Sequence, residues 1–372
     1  EDSYLYGDDG CNTLGHVVNR CRTRLPNLGR MGLGNIVPLD TVPPVAGPGA
    51  SWGKLREVSA GKDSTTGHWE IAGITLQKPF PTYPNGFPQE VIDAFCKVSG
   101  VNGILANGAW SGTEVIERFG AEHLATGKPI VYTSADSVFQ IAAHESVTPI
   151  DTLYRWCELS RTEVMTGEHL VGRVIARPFT GSQGAFTRLN DQRKDVSAIP
   201  PRPNLPEHLL ENGIKTYSIG KVIDLFAGVG FSQSRKTKNN AEGIAQLLNA
   251  LNGVEDGFIF ANLIDTDQLF GHRNDPEGYS GSLEEFDRAL PAMMAKLRPD
   301  DVLIITGDHG NDPTTPGSDH TREFVPLLVY PAHRCTSADL GTRTSFRDIA
   351  ASVNLCFGLP DIFDGDAFIS GK

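Results

Sequence analysis

No apolar run in this 372-residue chain approaches the roughly 18–20 residues of a membrane-spanning helix, so none is expected. Positive charge is scarce. Against 45 Asp and Glu there are 33 Lys and Arg, and the formal charge of −12 suits neither a nucleic-acid nor an anionic-membrane surface. The opening EDSYLYGDDG lacks the basic and apolar regions of a secretory signal. No CxxC spacing occurs among Cys11, Cys21, Cys96, Cys157, Cys335 and Cys356, which read as free thiols in a reducing compartment. A cytoplasmic protein is expected. There is no internal repeat and no low-complexity tract. What remains, 39% hydrophobic and 21% charged residues, is the composition of an ordinary globular protein, and the length sets a prior of two domains.

Short apolar runs alternate with amphipathic stretches along the chain. Strands are expected at Ile130–Thr133, Val171–Ala176, Thr216–Ile219, Gly257–Ile264, Val302–Thr306 and Phe324–Tyr330. Helices are expected at Pro88–Ser99, Ser282–Leu297 and Ser345–Phe357. In the first of these Val91, Ala94, Phe95 and Val98 share a face; in the second Leu283, Phe286, Leu290, Met293 and Met294 do. Such alternation predicts α/β layering around a mostly parallel sheet. Proline-rich stretches at 79–88 and 199–203 read as joints, although proline runs also occur in ordinary surface loops. They divide the chain into a discontinuous core, 1–79 with 198–372, and an inserted domain, 80–197.

The densest chemistry lies between residues 265 and 320. One buried-strand pattern runs into Asp265-Thr266-Asp267-Gln268-Leu269-Phe270-Gly271-His272. Another runs into Gly307-Asp308-His309-Gly310-Asn311-Asp312, followed by Asp319-His320. Ligands of open α/β sheets bind beyond the carboxyl ends of strands, where these residues fall. Mixed Asp and His donors suit Mn²⁺ or Zn²⁺ better than Ca²⁺, and their number fits two adjacent ions better than one closed site. Taken alone, either piece is an ordinary turn or helix cap; together, with His320 downstream, they read as a metal centre. Asp265 and Asp312 read as supporting residues rather than ligands.

Gly61-Lys62-Asp63-Ser64-Thr65-Thr66-Gly67-His68 gathers hydroxyls, glycines and a lysine in one turn. A hydroxyl at a loop-to-helix junction can present its oxygen as a nucleophile, and a bound metal would lower its pKa. It can equally serve as an N-cap. Gly61-Lys62 lacks the upstream glycine of a Walker A loop, which excludes an NTPase.

GKDSTTGHWEIAG, YTSADSVFQIAAHE, VGRVIARPF, DTDQLFGHRNDPEGY and GDHGNDPTTPGSDHTREFVPLLVY together resemble the prokaryotic phosphopentomutases of the alkaline phosphatase superfamily. The resemblance covers nearly the whole chain. It implies an alkaline-phosphatase-like α/β core with an inserted smaller α/β cap. It also implies interconversion of ribose or deoxyribose 1-phosphate with the 5-phosphate sugar, with two Mn²⁺ ions and a sugar bisphosphate primer such as glucose 1,6-bisphosphate. By position, Asp267, His272 and His320 match the ligands of one ion and Asp308 and His309 those of the other. Ser64 stands where the family carries its phosphorylated threonine. Ser134 and Asp136 match residues that hold sugar hydroxyls, while Arg173, Ile175 and Lys221 match residues around the substrate, the two cations suiting its distal phosphate. Arg177, Arg188 and Arg193 either add charge there or are solvated surface.

Two departures accompany the resemblance. The family carries an N-terminal strand ending in an aspartate ligand of the ion held by Asp308 and His309, and this chain opens after that point. Asp2, Asp8 and Asp9 lie too close to the GDDGCNTLGH match to replace it, and a truncated sequence or misplaced gene start is the expected explanation. The other departure is serine for threonine at 64, a mild change of nucleophile. The rival readings are a related metal-dependent phosphatase or phosphoglycerate mutase, and a non-catalytic sugar-phosphate binder.

Overall fold

A computed structural model describes residues 2–134 and 136–370. The chain packs as two compact units, Glu1–Lys78 with Pro200–Lys372, and Pro79–Ile199. The first segment forms α1 (Thr13–Cys21), α2 (Pro26–Met31), β1 (Ser51–Leu55) and α3 (Ser64–Ile71). In the second unit follow α4 (Gln89–Ser99), β2 (Leu105–Ala109), α5 (Gly112–Thr126), β3 (Ile130–Thr133), β4 (Val138–His144) and α6 (Ile150–Leu159). Strands β5 (Arg173–Thr180), β6 (Thr187–Arg188) and β7 (Lys194–Ser197) complete it. The return segment forms β8 (Thr216–Ile219), β9 (Gln233–Arg235), α7 (Asn240–Gly253), β10 (Phe258–Ala261) and α8 (Pro276–Met294). It ends with β11 (Leu303–Thr306), β12 (Val325–Tyr330), β13 (Asp339–Arg343) and α9 (Arg347–Cys356).

The architecture is α/β, as expected. In the first unit the strands form two sheets, an all-parallel one ordered β10-β8-β9 and a mixed one ordered β11-β12-β1-β13. Their edge strands β10 and β11, rich in Phe, Ile and Leu, both line a cavity of about 1380 Å³, into which Leu28, Leu283 and Phe286 also face. Apolar helix faces fill the rest: Val18, Leu25, Leu28 and Met31 pack with Leu290 and Met293 of α8 and with Leu328 of β12. Helix α8 starts earlier than its apolar stripe predicts. Asp275 caps it by accepting from Gly278 N at 2.9 Å, and Pro276 opens it. From its buried face Asp287 accepts from the backbone N–H groups of Asn27 and Leu28, satisfying donors at the start of α2.

The second unit is one sheet ordered β2-β3-β4-β5-β6, with β7 antiparallel to β5. Both faces are covered. Phe95, Phe139, Trp156 and Val174 pack on one, Val115, Tyr132 and Phe179 on the other. Successive side chains on β5 alternate, so Val174 and Ala176 enter the core while Arg173, Ile175 and Arg177 share the opposite face. Among the described residues all six cysteines are free thiols, and no helix is long and apolar enough to cross a membrane.

Candidate active site

Strands β10 and β11 run into the turns that carry the predicted ligands. Beyond β10, Asp267 and His272 lie on two short helical turns, and with His320 they place one donor atom each within 4.8 Å of one another. Asp267 Oδ1 stands 3.1 Å from His320 Nε2 and 3.2 Å from His272 Nε2. Beyond β11, His309 Nε2 is 3.4 Å from Asp308 Oδ2 and 3.0 Å from the hydroxyl of Ser64. The His309 and His320 rings lie 3.9 Å apart, which joins the two groups into one centre. The structure thus brings Ser64, Asp267, His272, Asp308, His309 and His320 together.

Backbone carbonyls fix the imidazoles. His272 Nδ1 faces Ser318 O at 2.6 Å and His309 Nδ1 faces Gly310 O at 3.0 Å. A carbonyl only accepts, so each Nδ1 carries the hydrogen, and in the neutral ring Nε2 keeps its lone pair. At His272 that nitrogen stands 3.2 Å from Asp267 Oδ1 and at His309 3.4 Å from Asp308 Oδ2, and two such acceptors repel unless a cation or proton lies among the atoms. The donor set therefore fits a divalent ion held by Asp267, His272 and His320, and a second beside Asp308 and His309.

Electrostatics agree with that fit. Burial alone would raise the Asp267 carboxyl, yet the hydrogen bond from His320 and the charges that His309, His320 and His272 carry when protonated hold it far below the usual range. Asp308 is likewise held low against burial by His309 and His68. Burial lowers His309, but the carboxylates of Asp308 and Asp267 outweigh it and raise the ring's pKa. His320 is pushed down by burial and by the neighbouring His309. A metal held by His309 would have to displace its more tightly held proton, so binding there would weaken as pH falls through the imidazole range. Calorimetric Mn²⁺ titration at about pH 8 and about pH 6 is expected to show affinity lower by about tenfold or more at the acidic pH, with proton release. Equal affinities at the two pH values would contradict the imidazole ligands.

The nucleophile candidate opens α3. Asp63 caps that helix, accepting from Thr65 N at 2.9 Å and Thr66 N at 3.2 Å, so the cap and the candidate nucleophile are different residues. Asp265 and Asp312 are engaged in hydrogen bonds with neighbouring segments. Asp265 accepts from Asn240 N at the start of α7, and Asp312 from Asn12 N and from His16 Nδ1. Asp2 and Asp8 are engaged with Arg322 and Lys62.

Three partners of the centre escape sequence reasoning. Asn311, 3% exposed, donates its amide to Asp267 Oδ1 at 2.9 Å. His68 reaches Asp308 Oδ2 at 2.9 Å. Buried Arg322 donates to the carbonyls of Glu57, Ser59 and Gly61, tying the loop that leads to Ser64 to the segment just after His320. Beside it, burial pushes the Glu57 carboxyl up to about 9 despite the Arg322 charge. The GHWE and DHTREF motifs contain His68 and Arg322, but nothing in their spacing reveals these partners.

In the second unit Arg173 lies between two carboxylates, with Nη2 3.6 Å from Asp136 and Nη1 3.4 Å from Asp195. Ser134 precedes Asp136 on the β3–β4 connection, and Ile175 is buried on the Arg173 face of β5. Arg193 forks onto Asp195 at 2.7 and 2.6 Å, and Arg177 Nε donates to Gln140 at 3.0 Å. Arg188 lies on β6. In the first unit Lys221 follows β8 and Gly220 directly.

Acidic residues and Nε2-directed histidines at the carboxyl ends of β10 and β11 define a metalloenzyme built on an α/β core. The family model of the Metalloenzyme superfamily matches residues 62–361, and dependence on a divalent metal follows. A phosphopentomutase of Caldanaerobacter subterraneus subsp. tengcongensis is 52% identical over 99% of this chain and 93% of its own length. Another from Dictyoglomus thermophilum is 50% identical over 99% of this chain and 94% of its own, and one from Acetivibrio thermocellus is 48% identical over the same shares. The chain belongs to the phosphopentomutase family and is an isomerase.

Proposed function

We propose that this protein interconverts ribose 1-phosphate, or 2-deoxyribose 1-phosphate, with the corresponding 5-phosphate sugar through a phosphoserine at Ser64. The observation that carries the reading is the Ser64 hydroxyl 3.0 Å from His309 Nε2, beside Asp308. Asp267, His272 and His320 would hold one divalent ion, Asp308 and His309 the other; manganese suits the mixed oxygen and nitrogen donors. When bound, the two ions supply charge neutralisation for a transferring phosphoryl group and lower the pKa of an oxygen they hold.

Phospho-Ser64 gives its phosphoryl group to the free hydroxyl of a bound pentose monophosphate: the Oγ–P bond breaks, the sugar O–P bond forms, and the hydroxyl proton passes to the leaving Ser64 Oγ. A pentose 1,5-bisphosphate results. The sugar turns round, and Ser64 Oγ takes the other phosphate. Glucose 1,6-bisphosphate or a similar sugar bisphosphate primes the serine. Ser134 and Asp136 hold the sugar hydroxyls, Ile175 borders the substrate, and Arg173 and Lys221 take the distal phosphate. A phosphate dianion competes well for Arg173, whose carboxylate partners stand at 3.4 and 3.6 Å rather than in close bidentate contact. Residues 80–197 act as the cap that excludes water, which would otherwise drain phospho-Ser64 to free phosphate. The role is cytoplasmic, in nucleoside salvage and pentose phosphate metabolism.

The test is conversion of ribose 1-phosphate to ribose 5-phosphate with Mn²⁺ and glucose 1,6-bisphosphate, followed by phosphorus NMR. Turnover with little inorganic phosphate is expected. Phosphate release equal to or faster than isomerisation would make the chain a phosphatase, and substrate binding without turnover would make it a binder.

A further inference from the structure

We infer that His68 is a positioning residue that sets the distance between Ser64 and the Asp308 carboxylate; the inference rests on the reading of Ser64 as nucleophile. His68 follows Ser64 by one helical turn and is 2% exposed. Its Nδ1 lies 2.9 Å from the carbonyl oxygen of Ser64 and 2.9 Å from Asp308 Oδ2. Both neighbours only accept, so Nδ1 carries the hydrogen and shares it between the nucleophile's own backbone and a proposed metal ligand. The ring is held from the side by Phe260 of β10, with centroids 5.4 Å apart and planes 25° from parallel. Ring rotation is therefore restricted. Beside it, Gly67 brings the backbone of α3 so close to Asp308 that a β-carbon there would lie 1.9 Å from the Asp308 carbonyl oxygen.

One N–H thus fixes the orientation of Asp308 and the seat of the first turn of α3 together. Ser64 lies on that turn, so its hydroxyl inherits the spacing. An imidazole fits this place because a donor is needed at Nδ1 and a flat ring against Phe260. Phenylalanine supplies the ring without the donor. Asparagine supplies an amide donor near the Nδ1 position in a shorter side chain.

The experiment compares wild type with His68→Phe and His68→Asn, each checked by melting temperature. For His68→Phe, Mn²⁺ calorimetry is expected to show one ion bound about 10–100-fold more weakly, as when a partner of a metal ligand is lost. Its kcat is expected to fall by about 10–100-fold with little change in KM, as for a displaced catalytic group. His68→Asn is expected to recover most of both losses. Long-range proton–nitrogen NMR of the metal-free wild type should place the His68 hydrogen on Nδ1. An Nε2 hydrogen overturns the proposal. So does a folded His68→Phe with wild-type metal affinity and kcat, or a folded His68→Asn as impaired as His68→Phe. If wild type binds Mn²⁺ but fails to interconvert pentose phosphates, the functional reading falls, and the NMR and calorimetry still decide the role of His68.

Discussion

Ser64→Ala is expected to lower pentose phosphate interconversion by about 10³-fold or more, because the atom proposed to form the covalent intermediate is removed. The rest of the centre should stand. Among the described residues Ser64 Oγ has one hydrogen-bond partner, His309 Nε2, which keeps the lone pair it would offer a metal. Its loss leaves no buried donor stranded, so melting temperature and Mn²⁺ affinity should stay close to wild type. Ser64→Thr is expected to retain activity within about tenfold, since the attacking hydroxyl is kept and only a methyl group is added. The neighbouring hydroxyls provide the alternative. Thr66 is buried and donates its hydroxyl to Asp63 at 2.5 Å, which leaves it poorly placed to attack. Peptide mapping after incubation with glucose 1,6-bisphosphate should find phosphate on Ser64 and none in the alanine variant. Phosphate on Thr65 or Thr66, or full turnover by Ser64→Ala, would remove Ser64 from the chemistry.

Which parts of this centre could be read from sequence depends on how each residue makes its contacts. Asp267 with His272, and Asp308 with His309, follow apolar strands, so strand prediction alone places each pair beyond the carboxyl end of its strand. Ser64 meets His309 across 245 positions, and only its company of glycines and hydroxyls marks it beforehand. His68, Asn311 and Arg322 work through side-chain hydrogen bonds whose partners are set by packing, and no local pattern encodes that. Among the strands, β4 is buried along its whole length and shows no alternation to read. Strand β2 carries Ala106 and Asn107 at φ 77° and 52° and shifts register against β3, so its sequence, LANGA, looks like a turn. Strand β1 spans five residues and contains a glycine, too little for a periodicity argument. The expected Val171–Ala176 strand in fact runs from Arg173 to Thr180, past Pro178.

Gly67→Ala provides the second large effect, and here two physical tendencies oppose each other. In an exposed helix, replacing glycine by alanine stabilises by about 0.4–1 kcal/mol, through reduced unfolded-chain entropy and better helix propensity. Gly281 of α8 is such a place: beyond its own helix backbone and chain neighbours, no described atom lies within 4 Å of where a β-carbon would stand. At Gly67 the new carbon would meet the Asp308 carbonyl oxygen at 1.9 Å and its carbonyl carbon at 2.7 Å. Those are backbone atoms at the end of β11, and no side-chain rotation relieves the clash. Helix α3 must retreat from the Asp308 turn by more than about 1 Å to reach ordinary contact, and overpacking of this kind costs about 1–3 kcal/mol. The packing term exceeds the propensity term, so Gly67→Ala is expected to melt several degrees lower, by about 2–4 °C per kcal/mol. Retreat of α3 carries Ser64 and His68 away from Asp308 and His309, and a misplacement of about 1 Å is enough to lower kcat by about 10²-fold. Gly281→Ala is expected to keep full activity and to melt slightly higher. If both variants gained stability and kept turnover, α3 would not be docked on Asp308, and the spacing assigned to His68 would have no basis.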